Sequence, residues 1–202
     1  MRKPVLALII VLAAAVAAGL FAWQKLHTDS TLTARPTGGD FTLQSSKGPV
    51  SLHDFRGKVV LLYFGYTYCP DICPTSLGNL SAAWRMLPPD LRDQVQILFV
   101  SVDPKRDTPE RLQQYADFFN ARIIGLTADK ATIDDVVRRY GAVYKIVPVK
   151  ESRVGYLVDH SAFAYVIDRN GRLVTQIPHG TPPKEIVRTL IPLLTPNKED
   201  TP

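Results

Sequence analysis

The segment Lys58–Phe64 (KVVLLYF) most constrains the fold, because it is β-branched and aromatic and has no polar residue after its first. A strand with apolar side chains on both faces must lie inside a sheet that is covered on both sides. A second buried strand is predicted over Gln94–Val102, and a helix from about Pro74 to Leu87 separates the two. This order predicts parallel strands with a helix packed against them.

The remaining segments continue the alternation of strands and helices. Short strands are predicted over residues 40–43, 49–52, 122–126, 161–167 and 173–177, and helices over residues 107–119, 132–140 and 182–194. The last two strands enclose Asn170-Gly171, which is a strong hairpin signal. We therefore predict an α/β fold with a central mixed sheet flanked by helices. Its element order is that of a thioredoxin-like fold with an N-terminal extension and an inserted segment.

Composition narrows the class of protein. The chain has 202 residues, of which 46% are apolar and 21% charged, and this excludes a disordered, collagen-like or coiled-coil chain. Only two cysteines are present, which excludes a small scaffold held together by several disulfides. The net charge is +5 without any cluster of five or more Lys and Arg residues, so we expect no nucleic-acid binding.

The N-terminus predicts a membrane anchor over residues 1–23. Two basic residues precede an uncharged run from Pro4 to Trp23, and about 20 helical residues span about 30 Å, the thickness of the hydrocarbon core. The positive-inside rule then places everything after Gln24 in the periplasm or another extracytoplasmic space. The alternative is a cleaved signal peptide with Ala15-Val16-Ala17 as its small-residue site. We favour the uncleaved anchor, because the apolar run continues past that site.

The rest of the chain divides by composition. Residues 24–39 are polar and end in Pro36-Thr37-Gly38-Gly39, which is typical of a linker. Residues 40–194 form the predicted thioredoxin-like domain. Residues 195–202 are polar again and form a predicted flexible tail.

Both cysteines lie in the segment Cys69-Pro70-Asp71-Ile72-Cys73-Pro74, directly after the first buried strand. The end of such a strand is where α/β folds place their ligands. Each cysteine precedes a proline, which disfavours helical geometry, so we predict an accessible pair in the loop before the helix. The helix N-terminus should stabilise a thiolate at Cys73. Two adjacent thiols can form a disulfide, exchange disulfides or bind a soft metal.

His160 is a candidate third ligand. It is predicted to stand at the start of the strand over residues 161–167, where neighbouring strand ends bring it towards the cysteine loop. Two thiolates and one imidazole suit Cu(I) and, with small adjustment, Cu(II), whereas structural zinc would want a fourth ligand. Asp159 is a candidate for orienting His160 or a plain loop acid. Asp103 and Asp107 are interpreted as turn and cap residues.

Four motifs resemble those of the Sco/SenC family. They are Gly65–Thr75 (GYTYCPDICPT), Val102–Pro109 (VDPKRDTP), Val158–Phe163 (VDHSAF) and Pro178–Thr181 (PHGT). The resemblance covers residues 38–192, and this combination of motifs in this order is highly specific. Tyr68 departs from many relatives, which carry His or Phe before the first cysteine.

The resemblance implies a thioredoxin-like fold on a single membrane anchor, with copper bound by Cys69, Cys73 and His160. It also implies a role in assembling the Cu-A centre of cytochrome c oxidase, so that an oxidase subunit is the expected partner. Family members act as copper carriers or as reductants of the oxidase's own cysteines.

Three functions therefore compete at this stage. A copper chaperone needs all three residues, whereas a thiol–disulfide oxidoreductase needs Cys69 and Cys73 but not His160. A peroxiredoxin-like peroxidase is the weakest alternative, because Pro70 stands where that chemistry requires Thr or Ser, three residues before Cys73.

Overall fold

The computed structural model describes residues 12–13, 15–21, 23, 36–149 and 155–195. The chain divides into two compact units, residues 1–35 and 36–202. The described residues of the first unit are helical. Within the described part of the chain, no helix is both long enough and apolar enough to cross a membrane. Much of the predicted anchor, most of the predicted linker and nearly all of the predicted tail lie outside the described residues.

The second unit contains nine strands within its described ranges. They are β1 Thr42–Ser45, β2 Gly48–Ser51, β3 Val59–Gly65, β4 Val95–Ser101, β5 Ile124–Leu126, β6 Tyr144–Pro148, β7 Tyr156–His160, β8 Phe163–Ile167 and β9 Leu173–Pro178. The helices of this unit are α1 Ile72–Met86, the single turn α2 Pro89–Arg92, α3 Pro109–Asp117, α4 Lys130–Arg139 and α5 Pro183–Leu194. A short 3₁₀ helix, Leu52–Phe55, follows β2.

The central sheet has five strands in the order β5-β4-β3-β8-β9. β3 pairs in parallel with β4 and antiparallel with β8, while β4 pairs in parallel with β5 and β8 antiparallel with β9. All seven residues of β3 are buried, which confirms the prediction from its uninterrupted apolar sequence. Helices flank the sheet, with α1 packed against α5 and α3 against β5. The predicted α/β fold with a central mixed sheet is confirmed.

The hairpin of β6 and β7 was not predicted. The two strands pair antiparallel with each other and form a separate two-stranded sheet. Within them Val158 alone is buried, and β6 contains Lys145 and Pro148, so neither strand carries the apolar signal of the central sheet. His160 is consequently the last residue of β7 and not, as the sequence suggests, the start of the following strand.

A second correction concerns the start of α1. The sequence predicts both cysteines in a loop before a helix that begins at Pro74. The helix begins at Ile72 with Asp71 as its N-cap, so Cys73 lies in its first turn. Pro74 is tolerated there because the first backbone N–H groups of a helix have no partner inside the helix.

Candidate metal centre

The fold brings the three predicted ligands together. The Sγ atoms of Cys69 and Cys73 and a ring nitrogen of His160 all lie within 4.8 Å of one another. Cys69 belongs to the loop after β3, Cys73 to the first turn of α1, and His160 to the end of β7. Residues that are 87 positions apart in the sequence are thus neighbours at the edge of the sheet where β3 ends.

The start of α1 fixes the two sulfurs relative to each other. The backbone N–H of Cys69 donates to the carbonyl oxygen of Tyr66, which closes a turn after β3. The backbone N–H of Cys73 then donates to Cys69 Sγ at 3.4 Å. This amide is one of the first in the helix and has no partner inside it, so the sulfur of Cys69 serves as its acceptor.

The tautomer of His160 follows from its neighbours. Its Nδ1 lies 3.0 Å from the carbonyl oxygen of Ser161, which can only accept, so Nδ1 carries the proton. Nε2 is left with a lone pair and lies 3.2 Å from Cys73 Sγ. This arrangement leaves the imidazole ready to act as a ligand through Nε2.

The site is closed on most sides. Cys73 is fully buried and Cys69 is 8% exposed, so the prediction of an accessible pair is wrong. The rings of Tyr63 and Tyr66 meet the His160 ring edge-on, at 6.1 and 6.0 Å between centroids. Cys73 is buried because its position in the first helical turn directs its side chain against β3 rather than into a loop.

Gly65, the last residue of β3, makes this close packing possible. A Cβ atom at this position would lie 2.7 Å from Cys73 Sγ and 2.9 Å from the Phe99 ring, closer than any side chain tolerates. Sequence reasoning missed Gly65 as a site residue. A glycine at the end of a buried strand, directly before the cysteine loop, is the signal that could have found it.

The two thiols differ in acidity. The hydrogen bond from the Cys73 thiol is the largest cause that lowers the pKa of Cys69, to about 4; backbone amides add to it and burial opposes it. Burial raises the pKa of Cys73, and the neighbouring Cys69 raises it further. The predicted thiolate at Cys73 is therefore wrong, since the negative charge resides on Cys69.

Asp107 holds the loop that leads to Cys69. Its carboxylate is buried and accepts from Thr67 N at 3.0 Å, from Thr67 Oγ1 at 2.5 Å and from Ser101 Oγ at 2.7 Å. Asp107 does not cap α3, because Thr108 does. The loop conformation is thereby fixed by a side chain that lies 38 positions after Cys69 in the numbering.

Arg106 links the cysteine loop to the hairpin that carries His160. Its guanidinium carbon lies 3.6 Å from the centroid of the Tyr156 ring and 4.7 Å from that of Tyr68. Asp103 pairs with the Arg106 guanidinium and accepts from Tyr156 Oη at 2.7 Å. The Tyr66 hydroxyl accepts from Val158 N at 3.1 Å. Side-chain contacts, rather than a shared sheet, therefore position β7.

A cavity of about 380 Å³ opens beside Cys69. Its lining includes Cys69 and His160 together with the carboxylates Asp71 and Asp159. Asp159 thus lies on the wall of the opening, while the carbonyl of Ser161 orients His160. The other described histidines of the domain lie elsewhere: His53 is exposed near Asp40, and His179 is bonded to Ser76 Oγ.

The donor set is chemically suited to a soft cation. Two sulfurs and one imidazole nitrogen converge, and these are ligand types that copper prefers. The same two sulfurs are close enough in sequence and space for thiol–disulfide exchange.

Comparison with known proteins gives the same family along most of the chain. The family model SCO1/SenC matches residues 29–195. An SCO2-like protein of Rickettsia conorii is 38% identical over 154 residues, which cover 76% of this chain and 75% of that protein. Two solved structures with copper bound have TM-scores of 0.70: ScoI of Bradyrhizobium japonicum (39% identity; 77% of this chain and 98% of that chain) and yeast Sco1 (30% identity; 80% and 91%). The chain therefore belongs to the SCO1/SenC family.

Proposed function

We propose that this protein is an extracytoplasmic copper chaperone, held at a membrane by residues 1–23, that delivers copper to the Cu-A site of cytochrome c oxidase during assembly. Cys69, Cys73 and His160 bind the copper. The observation that carries this proposal is the convergence of their three ligand atoms within 4.8 Å. The copper in the solved structures of ScoI and yeast Sco1 supports it.

Each residue has a separate task in copper binding. Cys69 supplies a thiolate over most of the pH range, because its pKa is lowered to about 4. Cys73 exchanges its proton for the metal, and His160 offers the lone pair of Nε2, which lies 3.2 Å from Cys73 Sγ. Two thiolates suffice for Cu(I), whereas the imidazole is the donor that makes Cu(II) binding favourable.

The test is a comparison of the full-length wild type with His160→Ala, using His53→Ala as the matched control because His53 is an exposed histidine outside the site. His160→Ala should lose Cu(II) binding and its sulfur-to-copper absorption bands, keep part of its Cu(I) affinity, and fail to support oxidase assembly. The control should match wild type. Unchanged Cu(II) binding together with unimpaired oxidase assembly in His160→Ala would defeat the proposal.

A second candidate function is thiol–disulfide exchange that keeps a client's cysteines reduced. The acidic Cys69, four residues before the buried thiol of Cys73, favours it, because a low pKa supplies the attacking thiolate and the second thiol can resolve a mixed disulfide. Exchange does not need His160. If exchange were the function, His160→Ala would reduce a test disulfide at the wild-type rate and would also support oxidase assembly.

The membrane anchor is tested separately. An uncleaved anchor predicts that the mature protein stays in the membrane fraction and that N-terminal sequencing finds Met1 or Arg2. A mature sequence that begins near Ala18 would contradict the anchor and favour a cleaved signal peptide.

A further inference from the structure

Tyr63 carries a buried polar atom that the fold leaves unsatisfied. The residue lies in the middle of β3 and is fully buried. Among the described residues, no group forms a hydrogen bond with its hydroxyl. A buried hydroxyl without a partner destabilises a protein, and such groups in native structures generally have a reason.

The hydroxyl belongs to a ring at the edge of the metal centre. Tyr63 Cε1 and Cys73 Sγ lie 3.1 and 2.7 Å from the same point, the position that a Cβ atom would occupy on Gly65. The Tyr63 ring also meets the His160 ring edge-on, at 6.1 Å and 86°. Tyr63 therefore contacts the region between two of the proposed ligands.

Two other hydroxyl groups nearby each have a hydrogen-bond partner of their own. Ser76 Oγ, one turn after Cys73, lies 2.8 Å from His179 Nδ1. Tyr66, the second tyrosine against His160, uses its hydroxyl to accept from Val158. The sulfur of Cys73 is the acceptor in this region that belongs to a proposed ligand, and contact with the Tyr63 hydroxyl opposes the effect of burial on the pKa of that thiol.

In the metal-free protein Cys73 keeps its proton, and a thiol sulfur is only a weak acceptor. When a metal displaces that proton, the sulfur becomes a thiolate and a much stronger acceptor. The unsatisfied hydroxyl would then gain a partner without any change in the fold.

We propose that Tyr63 is a positioning residue whose hydroxyl donates a hydrogen bond to the Cys73 thiolate in the copper-loaded site, and that this bond shifts the site from Cu(II) towards Cu(I). The proposal rests on the copper-binding function proposed above. A hydrogen bond withdraws electron density from the sulfur, and Cu(II) needs that density more than Cu(I) does.

The test is Tyr63→Phe in the full chain, with Tyr115→Phe as the matched control. The Tyr115 hydroxyl is likewise buried without a hydrogen bond, but its ring packs on Phe99 and Phe119 and not on His160. Tyr63→Phe should bind Cu(II) about tenfold tighter relative to Cu(I). Its sulfur-to-copper band should move to longer wavelength, while Tyr115→Phe should match wild type in both measurements.

The metal-free proteins supply a second measurement. Removing an unsatisfied hydroxyl should leave the midpoint of thermal unfolding of Tyr63→Phe equal to or higher than that of wild type. A lower midpoint, or failure to fold, would overturn the inference by showing that the hydroxyl is already bonded without metal. Wild-type affinities and spectrum in copper-loaded Tyr63→Phe would overturn it too and leave the proposed function intact. Failure of the wild type itself to bind copper would overturn both.

Discussion

The two sides of the proposed metal centre are built differently. The cysteine side rests on β3, whose seven residues are all buried and which pairs with β4 and β8. The histidine side is the end of a two-stranded hairpin in which Val158 is the only buried residue of the two strands. The core thus fixes two of the proposed ligands, whereas a few side-chain contacts position the third. Changes on the first side should damage fold and site together, and changes on the second side should damage the site alone.

The largest effect is expected from Gly65→Ala. The added methyl group would lie 2.7 Å from Cys73 Sγ and 2.9 Å from Phe99, so the buried strand and the site must both shift. We expect a loss of about 3 kcal/mol in the free energy of unfolding, measured by chemical denaturation, together with loss of copper binding.

Gly78→Ala is the control, because an added Cβ meets nothing within 4 Å at that helical position. It should raise stability by up to about 1 kcal/mol. Equal stability of the two variants would contradict the description of the cysteine side.

The next effect is expected from Asp107→Asn. The buried carboxylate accepts three hydrogen bonds, from Thr67 N, Thr67 Oγ1 and Ser101 Oγ. In the asparagine side chain an NH₂ group, which is a donor, replaces one acceptor oxygen and faces the other donors. We therefore expect a loss of about 2 kcal/mol in the free energy of unfolding. Asp93→Asn, at an exposed ion pair with Arg122, should change it by less than about 1 kcal/mol. A loss no larger than that of this control would show that Asp107 does not hold the loop.

A smaller loss of stability, confined to the histidine side, is expected from Arg106→Lys. Lysine cannot reproduce the flat stacking on Tyr156 and Tyr68. The free energy of unfolding should fall by about 1 kcal/mol, while Cu(II) binding weakens and Cu(I) binding by the two cysteines is retained. Arg111→Lys is the control, because Arg111 stacks on Tyr68 alone. If Arg106→Lys lost Cu(I) and Cu(II) equally, the hairpin would not be a separate support for His160.

The last prediction concerns the reactivity of the two thiols in the metal-free protein and involves no change in its stability. The lowered pKa of Cys69, about 4, keeps this sulfur deprotonated above that pH. Its alkylation by iodoacetamide should therefore be nearly independent of pH between about 6 and 8, where an ordinary thiol speeds up about tenfold per pH unit. Cys69→Ser leaves only the fully buried Cys73 and should react slowly throughout. A steep rise of the wild-type rate over this range would contradict the assignment of the charge to Cys69.

The sequence predicts the cysteine side better than the histidine side for a physical reason. β3 has an uninterrupted apolar pattern because the core covers both its faces, and that pattern locates the loop with Cys69 and Cys73. β6 and β7 have no such pattern, because they pair only with each other and are mostly exposed. His160 was therefore identified as a candidate ligand but assigned to the wrong strand.

Other errors arise from contacts between distant residues. The burial of Cys73 depends on the missing side chain of Gly65, and the shape of the loop depends on the carboxylate of Asp107. The secondary-structure propensity of a short segment predicts neither contact, because each contact joins residues from different segments of the chain. The prolines predicted the start of α1 two residues too late, because the first turn of a helix that begins at Ile72 accommodates Pro74.

The unequal exposure of the two sulfurs sets an order of events. Cys73 has no surface that an incoming molecule can touch, whereas Cys69 lies on the wall of the open cavity. In the proposed transfer of copper, a donor or an acceptor must therefore meet the sulfur of Cys69 before that of Cys73, so Cys69 is the first of the two to bind during loading and the first to be replaced during release. Access through a single sulfur makes transfer a stepwise replacement of one bond at a time rather than the escape of a free ion.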